Sequence, residues 1–355
     1  MNPWLDTAET YLREEVAPKA NLIDGDKGAL GIALKGLCYR KLMALRRPKE
    51  YGGPELSEAE FRSFQESVAR YSGSLAFLQT QHQSAVSMIA KGENDDLKQS
   101  YLPDMADGTK LVGIGFSQLR RPGPPILRAE PVTGGFRLDG NVPWITGFGF
   151  YHEFLIGAAL PDGRSVFGVV PFVESPGIKF GPVMRLAAME SPQTVSAELQ
   201  DFQLNDSQVS FQKPPGWIHD NDLINITIQG FFAVGCARVG LDVLRKAYEK
   251  KQASFLASAL DCLGDELESC RQAMIGAQDE STEDVTTEEK LRVRAWAIDL
   301  AVRCAHAGVA ASSGAANSID HDAQRVYREA LVYTVSAQTT PVMAATLERL
   351  CHRGG

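Results

Sequence analysis

The hydrophobic period of this chain changes twice, and that change restricts the fold more than any single motif does. In the first stretch apolar residues recur at helical spacing. Trp4, Leu5, Ala8, Tyr11, Leu12 and Val16 form one stripe, and Ser57 with Glu60 three residues on reads as a capping box ahead of Phe61, Phe64 and Val68. The runs then shorten to strand length at residues 111–116, 153–157 and 165–170, each bounded by Pro, Gly or Asp. Helical spacing returns in Ile228, Phe231, Phe232, Gly235 and Val239, where small residues allow helices to approach closely. The acidic, polar stretch 277–285 reads as a solvated loop, after which Thr286 and Glu289 restart a helix. Helices, then strands, then helices predict an α+β architecture, with a helical unit at 1–110, a β unit at 111–214 and a helical bundle at 215–355.

At 355 residues the chain exceeds one ordinary hydrophobic core, consistent with several packed units. Its net charge of −8 argues against nonspecific nucleic-acid binding, which requires clustered Lys and Arg. An anionic substrate would need a local basic patch. Cys38, Cys236, Cys262, Cys270, Cys304 and Cys351 show no CxxC pair and read as reduced thiols, which points to the cytoplasm. The first residues lack the charge and apolar pattern of a leader, and no apolar run reaches membrane-spanning length. His152, His219, His306, His321 and His352 show no ligand spacing with each other or with Cys, so no metal site is expected.

Residues 135–147 carry the chemistry that stands out. Gly134-Gly135 and Asp139-Gly140 read as turn pairs, with two short strands flanking Asp139-Gly140. Trp144 would then begin a strand in which Trp144 and Thr146 share a face, an aromatic plane beside a hydroxyl. Two readings stay open: a wall for a flat redox ring, or a tryptophan buried in a β core beside a satisfied threonine.

The run Leu138-Asp139-Gly140 followed by Trp144-Ile145-Thr146 resembles the strand of acyl-CoA dehydrogenases in which Trp and Thr lie against the flavin. Three further segments resemble that family in the same order: Arg47-Pro48-Lys49-Glu50-Tyr51-Gly52-Gly53, then Tyr101-Leu102-Pro103 with Gly108, then Gln324-Arg325-Val326-Tyr327-Arg328-Glu329-Ala330. The resemblance spans nearly the whole chain. It implies an N-terminal helical bundle, a middle β-barrel or sandwich and a C-terminal four-helix bundle, with FAD as cofactor and an acyl-CoA thioester as substrate. It also implies flavin sites shared between subunits of a homodimer or homotetramer.

Carried onto this chain, the resemblance assigns flavin contacts to Phe116, Ser117, Trp144, Ile145, Thr146, Phe255, Gly314 and Thr339, and a substrate mouth to His82, Arg120 and Gly123. For His82 and Arg120 the ordinary alternatives are a hydrogen-bonded packing residue and a solvated surface cation. Several family positions differ. The Glu-Pro and Gly-Ser-Asp elements after Ser117 are replaced, and the cation of the Arg-x-x-Phe segment becomes Gln252. The carboxylate base that removes the substrate α-proton while hydride passes to the flavin falls on Ala337, and its alternative position falls on Ile224. Asp220 and Asp222 lie near the latter and read as helix N-terminal charges. Three functions fit: an FAD-dependent oxidoreductase acting on CH–CH, a flavin-dependent monooxygenase of the same architecture, or a catalytically inactive scaffold.

Overall fold

Several helix starts in this protein are set by side chains that accept the otherwise unpaired first N–H groups. Asn2 accepts from the Trp4 N–H at 3.0 Å and opens α1 (Pro3–Tyr11). Ser57 and Glu60 cap each other's backbone at the start of α4 (Glu58–Tyr71), as the sequence predicts. Thr286 accepts from Glu289 at 3.1 Å and opens α10 (Thr287–Ser312). Each such cap contributes about 1 kcal/mol. The computed structural model describes residues 2–278 and 285–352, so most of the acidic loop expected at 277–285 lies outside the described residues.

The N-terminal layer also contains α2 (Ala20–Gly25), α3 (Lys27–Tyr39), α5 (Gly73–Ala90) and α6 (Asp95–Tyr101). Ala8, Tyr11, Leu12 and Val16 are buried along the predicted stripe, and Phe61, Phe64 and Val68 form the inner face of α4. The middle layer holds β1 (Val112–Gly115), β2 (Leu127–Val132), β3 (Gly135–Thr146), β4 (Glu153–Ala159), β5 (Ser165–Pro171), β6 (Ile178–Phe180), β7 (Thr194–Asn205) and β8 (Val209–Lys213). They form one sheet in the order β6-β7-β3-β2-β4-β5-β8, with β1 paired parallel to β4. The last layer comprises α7 (Trp217–Ile224), α8 (Gly230–Lys251), α9 (Ser254–Gly276), α10, α11 (Asp322–Val335) and α12 (Thr340–Cys351). Gly235 of α8 meets α4 so closely that a Cβ there would lie 2.3 Å from the Glu66 carbonyl oxygen.

The β2–β3 segment departs from the expected pair of turns. The hairpin turns at Thr133-Gly134, and Asp139-Gly140 lies inside β3 as a bulge against β7. Gly140 has φ +129° there, and a Cβ would collide with the Ile126 carbonyl. The Asp139 carboxylate accepts from the Asp201 N–H at 2.8 Å instead of closing a local turn. The bulge needs a glycine just as a turn does, which is why the local sequence resembles one. Trp144 accordingly falls within a long strand and does not begin a new one.

Two of the recognised segments meet. The buried Arg47 guanidinium donates to the carbonyls of Leu102 at 2.9 Å, Pro103 at 2.6 Å and Gly52 at 2.8 Å, joining the Tyr-Gly-Gly turn to the Tyr-Leu-Pro turn. The third segment docks α11 on the N-terminal helices. Arg325 pairs with Glu329 at 2.8 Å and with Asn21 at 2.7 Å, and Glu329 accepts from the Gly73 N–H at 3.1 Å. Arg328 pairs with Asp24, which in turn accepts from Ser74. Burial raises the Glu329 carboxyl above its ordinary range, with the Arg325 charge opposing that shift.

Candidate functional site

β3 changes exposure from one residue to the next near its end. Trp144 is 48 % exposed and Ile145 is fully buried, so the indole offers an open plane on the sheet while its neighbour anchors the strand. β1 runs beside this end of the strand: a Cβ on Gly115 would sit 3.2 Å from Ile145 Cγ1, and one on Gly113 would sit 3.4 Å from the Thr146 carbonyl oxygen. The residues that follow β1, Phe116 and Ser117, are thereby held close to the strand that carries Trp144.

Ser117 begins a short 3-10 turn reaching Arg120, and its hydroxyl is buried with no hydrogen-bond partner among the described residues. An unpaired buried hydroxyl carries a desolvation cost of about 1–3 kcal/mol unless a ligand or water meets it. The next residue pins the turn, because Gln118 Nε2 donates to the Gly157 carbonyl at 2.7 Å.

Several predicted contacts are arranged differently. The Phe116 ring is buried edge-on against Phe167 at 5.7 Å, and the Ile145 side chain points into the core, so only the backbones of these residues remain for a ligand. The Thr146 hydroxyl is engaged with the Thr194 hydroxyl at 3.0 Å across the β3–β7 pair. His82 is enclosed on α5. Its Nδ1 accepts from the Val112 N–H at 2.9 Å and its Nε2 donates to the Met105 carbonyl at 2.8 Å. Burial pushes the imidazole down to about 4, and the packing reading of His82 replaces the substrate-lining one.

Arg120 is half-buried and engaged in an ion pair. Its Nε and Nη2 hold both oxygens of Asp222 at 2.7 and 2.8 Å, which ties the Ser117 turn to α7. Asp222 thus serves as an ion-pair partner and not as a helix N-terminal charge, whereas Asp220 does lie in the first turn of α7. Gly123 follows in the loop with φ +93°. The two base positions hold no carboxylate: Ile224 is exposed at the end of α7, and Ala337 is exposed in the turn between α11 and α12.

The remaining predicted contacts lie in the helical layer. Phe255 is exposed at the start of α9 and Gly314 sits in the 3-10 turn after α10. Lys251, which the sequence reading passed over, donates to the Ala311 carbonyl at 2.5 Å and to Ser313 Oγ at 3.1 Å, so a cation does stand next to Gln252 and joins the two segments. A lysine in the last turn of a helix was the available signal. Thr339 caps α12 by accepting from the Val342 N–H. Among the described residues no group of three or more His, Cys, Asp and Glu is placed to hold a metal, and no helix is long and apolar enough to cross a membrane.

An N-terminal helical layer, a central eight-stranded sheet and C-terminal helices make up the acyl-CoA dehydrogenase fold. The chain is acyl-CoA dehydrogenase-like: residues 3–109 match the family model described as acyl-CoA dehydrogenase, N-terminal domain. It is 22 % identical to a mitochondrial isovaleryl-CoA dehydrogenase of Pongo abelii over 97 % of this chain and 86 % of that one. It is also 22 % identical to the probable acyl-CoA dehydrogenase YngJ of Bacillus subtilis, over 97 % and 96 % of the two chains. The solved structure of butyryl-CoA dehydrogenase from Megasphaera elsdenii superposes with a TM-score of 0.81 at 18 % identity, covering 98 % of this chain and 97 % of that one. A glutaryl-coenzyme A dehydrogenase in complex with glutaryl-CoA gives 0.82 at 17 %, covering 98 % and 94 %.

Proposed function

We propose that this protein is an FAD-dependent oxidoreductase that acts on the CH–CH bond of an acyl-CoA-like thioester. The observation that carries the reading is the half-exposed Trp144 on a strand whose neighbour Ile145 is locked in the core, together with the buried and unpartnered Ser117 hydroxyl on the turn that follows β1. A flat ring with hydrogen-bonding edges fits an open indole and an unpaired hydroxyl. Bound flavin would accept the two electrons of the oxidation. Trp144 supplies the stacking plane, Ser117 a hydroxyl, and the backbones of Phe116 and Ile145 the floor.

On this reading Phe255, Gly314 and Thr339 contribute from the helical layer, with Lys251 in place of the cation missing at Gln252. The protein works as a homodimer or homotetramer in the cytoplasm, built from units at 1–110, 111–214 and 215–355. Dehydrogenases among its relatives and the shared fold support the activity. The monooxygenase reading finds no support in the relatives named above. The scaffold reading is favoured by one observation, the alanine and isoleucine at the two base positions.

The test is a visible spectrum of the purified protein after addition of FAD, followed by anaerobic titration with butyryl-CoA and isovaleryl-CoA. A flavin band that bleaches with a thioester supports the oxidoreductase. A flavin band that no thioester bleaches favours the scaffold, and a colourless protein overturns flavin binding altogether.

A further inference from the structure

Arg294 on α10 is 1 % exposed and ranks among the largest side chains wholly inside the molecule. Its Nη2 donates to the Ser336 carbonyl at 3.1 Å, while its Nη1 is buried and has no hydrogen-bond partner among the described residues. Nor does a described carboxylate offset its charge: burial alone acts on the guanidinium and brings it down to about 9. Arg47 and Arg325, the other buried arginines, are met by three carbonyls and by a carboxylate respectively. A buried cation without a counter-charge is costly, so one kept in a well-packed interior calls for a compensating group.

The surroundings say where that group would come from. A Cβ on Gly230 would lie 3.6 Å from Arg294 Cδ, placing the turn before α8 against the arginine. In that turn Thr227 is fully buried and its hydroxyl also lacks a partner among the described residues. On the other side, Ser336 begins the turn that leads through Ala337 to α12. Ala337 is exposed and held at φ +46°, a left-handed conformation that is strained for a non-glycine residue. Position 337 is also where the family resemblance expects a carboxylate. An uncompensated guanidinium thus lies directly beneath a strained turn from which that carboxylate is missing.

We propose that Arg294 is the recognition residue of an anion site beneath the turn at residues 336–339, and that its ligand carries a free carboxylate. A planar guanidinium with an unused N–H matches a carboxylate edge, and the Thr227 hydroxyl is a second donor in the adjoining turn. The site belongs to the helical layer and stands whether or not a flavin occupies the Trp144 face.

The experiment compares butanoate, its neutral isostere butanamide, and methyl phosphate as ligands of the full-length protein, read by thermal shift and by calorimetric titration. Butanoate should raise Tm and butanamide should not. Arg294→Met should weaken butanoate binding about tenfold or more, and Arg294→Lys by less, with circular dichroism showing both folded. Equal responses to butanoate and butanamide would overturn the proposal, as would an unchanged butanoate affinity in Arg294→Met or tighter binding of methyl phosphate than of butanoate. Should Arg294→Met fail to fold, the wild-type comparison of acid with amide decides alone.

Discussion

The joints of the fold and the site face of this protein differ in how their polar groups are met. At the joints every charged group has a hydrogen-bond partner: Arg47 is met by three backbone carbonyls, and between α11 and the N-terminal helices Arg325 pairs with Glu329 while Arg328 pairs with Asp24, which also accepts from Ser74, leaving only single atoms (Arg47 Nε, Arg328 Nη1 and Glu329 Oε2) without a partner among the described residues. At the site the partners are fewer: the Ser117 hydroxyl has none among the described residues, Arg294 has one carbonyl and no carboxylate, and Ala337 and Ile224 stand where carboxylates are expected. Three of the four segments that make this chain resemble the family form joints of the fold, and only the fourth, the β3 strand with Trp144, lies at the site. Resemblance therefore reports the fold strongly and the chemistry weakly, and residues at the site must be judged on their own contacts.

The comparison breaks if the joints turn out to be dispensable. Arg325→Met leaves Glu329 buried without its cation and should cost about 3–5 kcal/mol, seen as a large fall in the urea midpoint; a loss below about 1 kcal/mol would show that the pair does not hold α11 in place. The enclosed His82 gives a pH signature of the same layer. Its pKa is about 4 when folded against an ordinary 6.5, so as pH falls the unfolded chain takes up the proton first. The stability that its neutral form provides is complete above about pH 6.5 and disappears between there and pH 4, about 3 kcal/mol in all. Urea midpoints measured across that window should fall steeply, and His82→Gln should flatten the slope.

Smaller effects sharpen the contrast. Thr286→Ala removes the α10 cap and should cost about 1 kcal/mol in urea melts, with no effect on any ligand measured at the Trp144 face. Trp144→Ala should change stability by less than about 0.5 kcal/mol, because the indole is half exposed; a larger loss would mean that it is a packing residue after all.

What could be read from the sequence divides by distance along the chain. Ser57 with Glu60, Thr286 with Glu289 and the Phe61, Phe64, Val68 stripe were legible because each signal is completed within a turn or two. The bulge at Asp139-Gly140 was not, since its partner Asp201 lies on β7 and the same dipeptide serves a turn equally well. The Arg120–Asp222 pair and the Thr146–Thr194 contact join residues far apart, and no periodicity announces them. Arg294 did leave a trace, a cation at helical spacing among Val293, Ala297, Ile298 and Ala301, all of them buried. A charge within an apolar stripe is the pattern that marks such a residue.

The open indole on β3 is the point on which the functional account turns, and titration of wild-type protein and Trp144→Ala with FAD, followed by quenching of flavin fluorescence, tests it most directly. The account predicts saturable binding to the wild type and an affinity weaker by about tenfold in the variant, the equivalent of about 1.4 kcal/mol of lost stacking. Equal affinity in the two proteins, or no saturable binding to either, would contradict it.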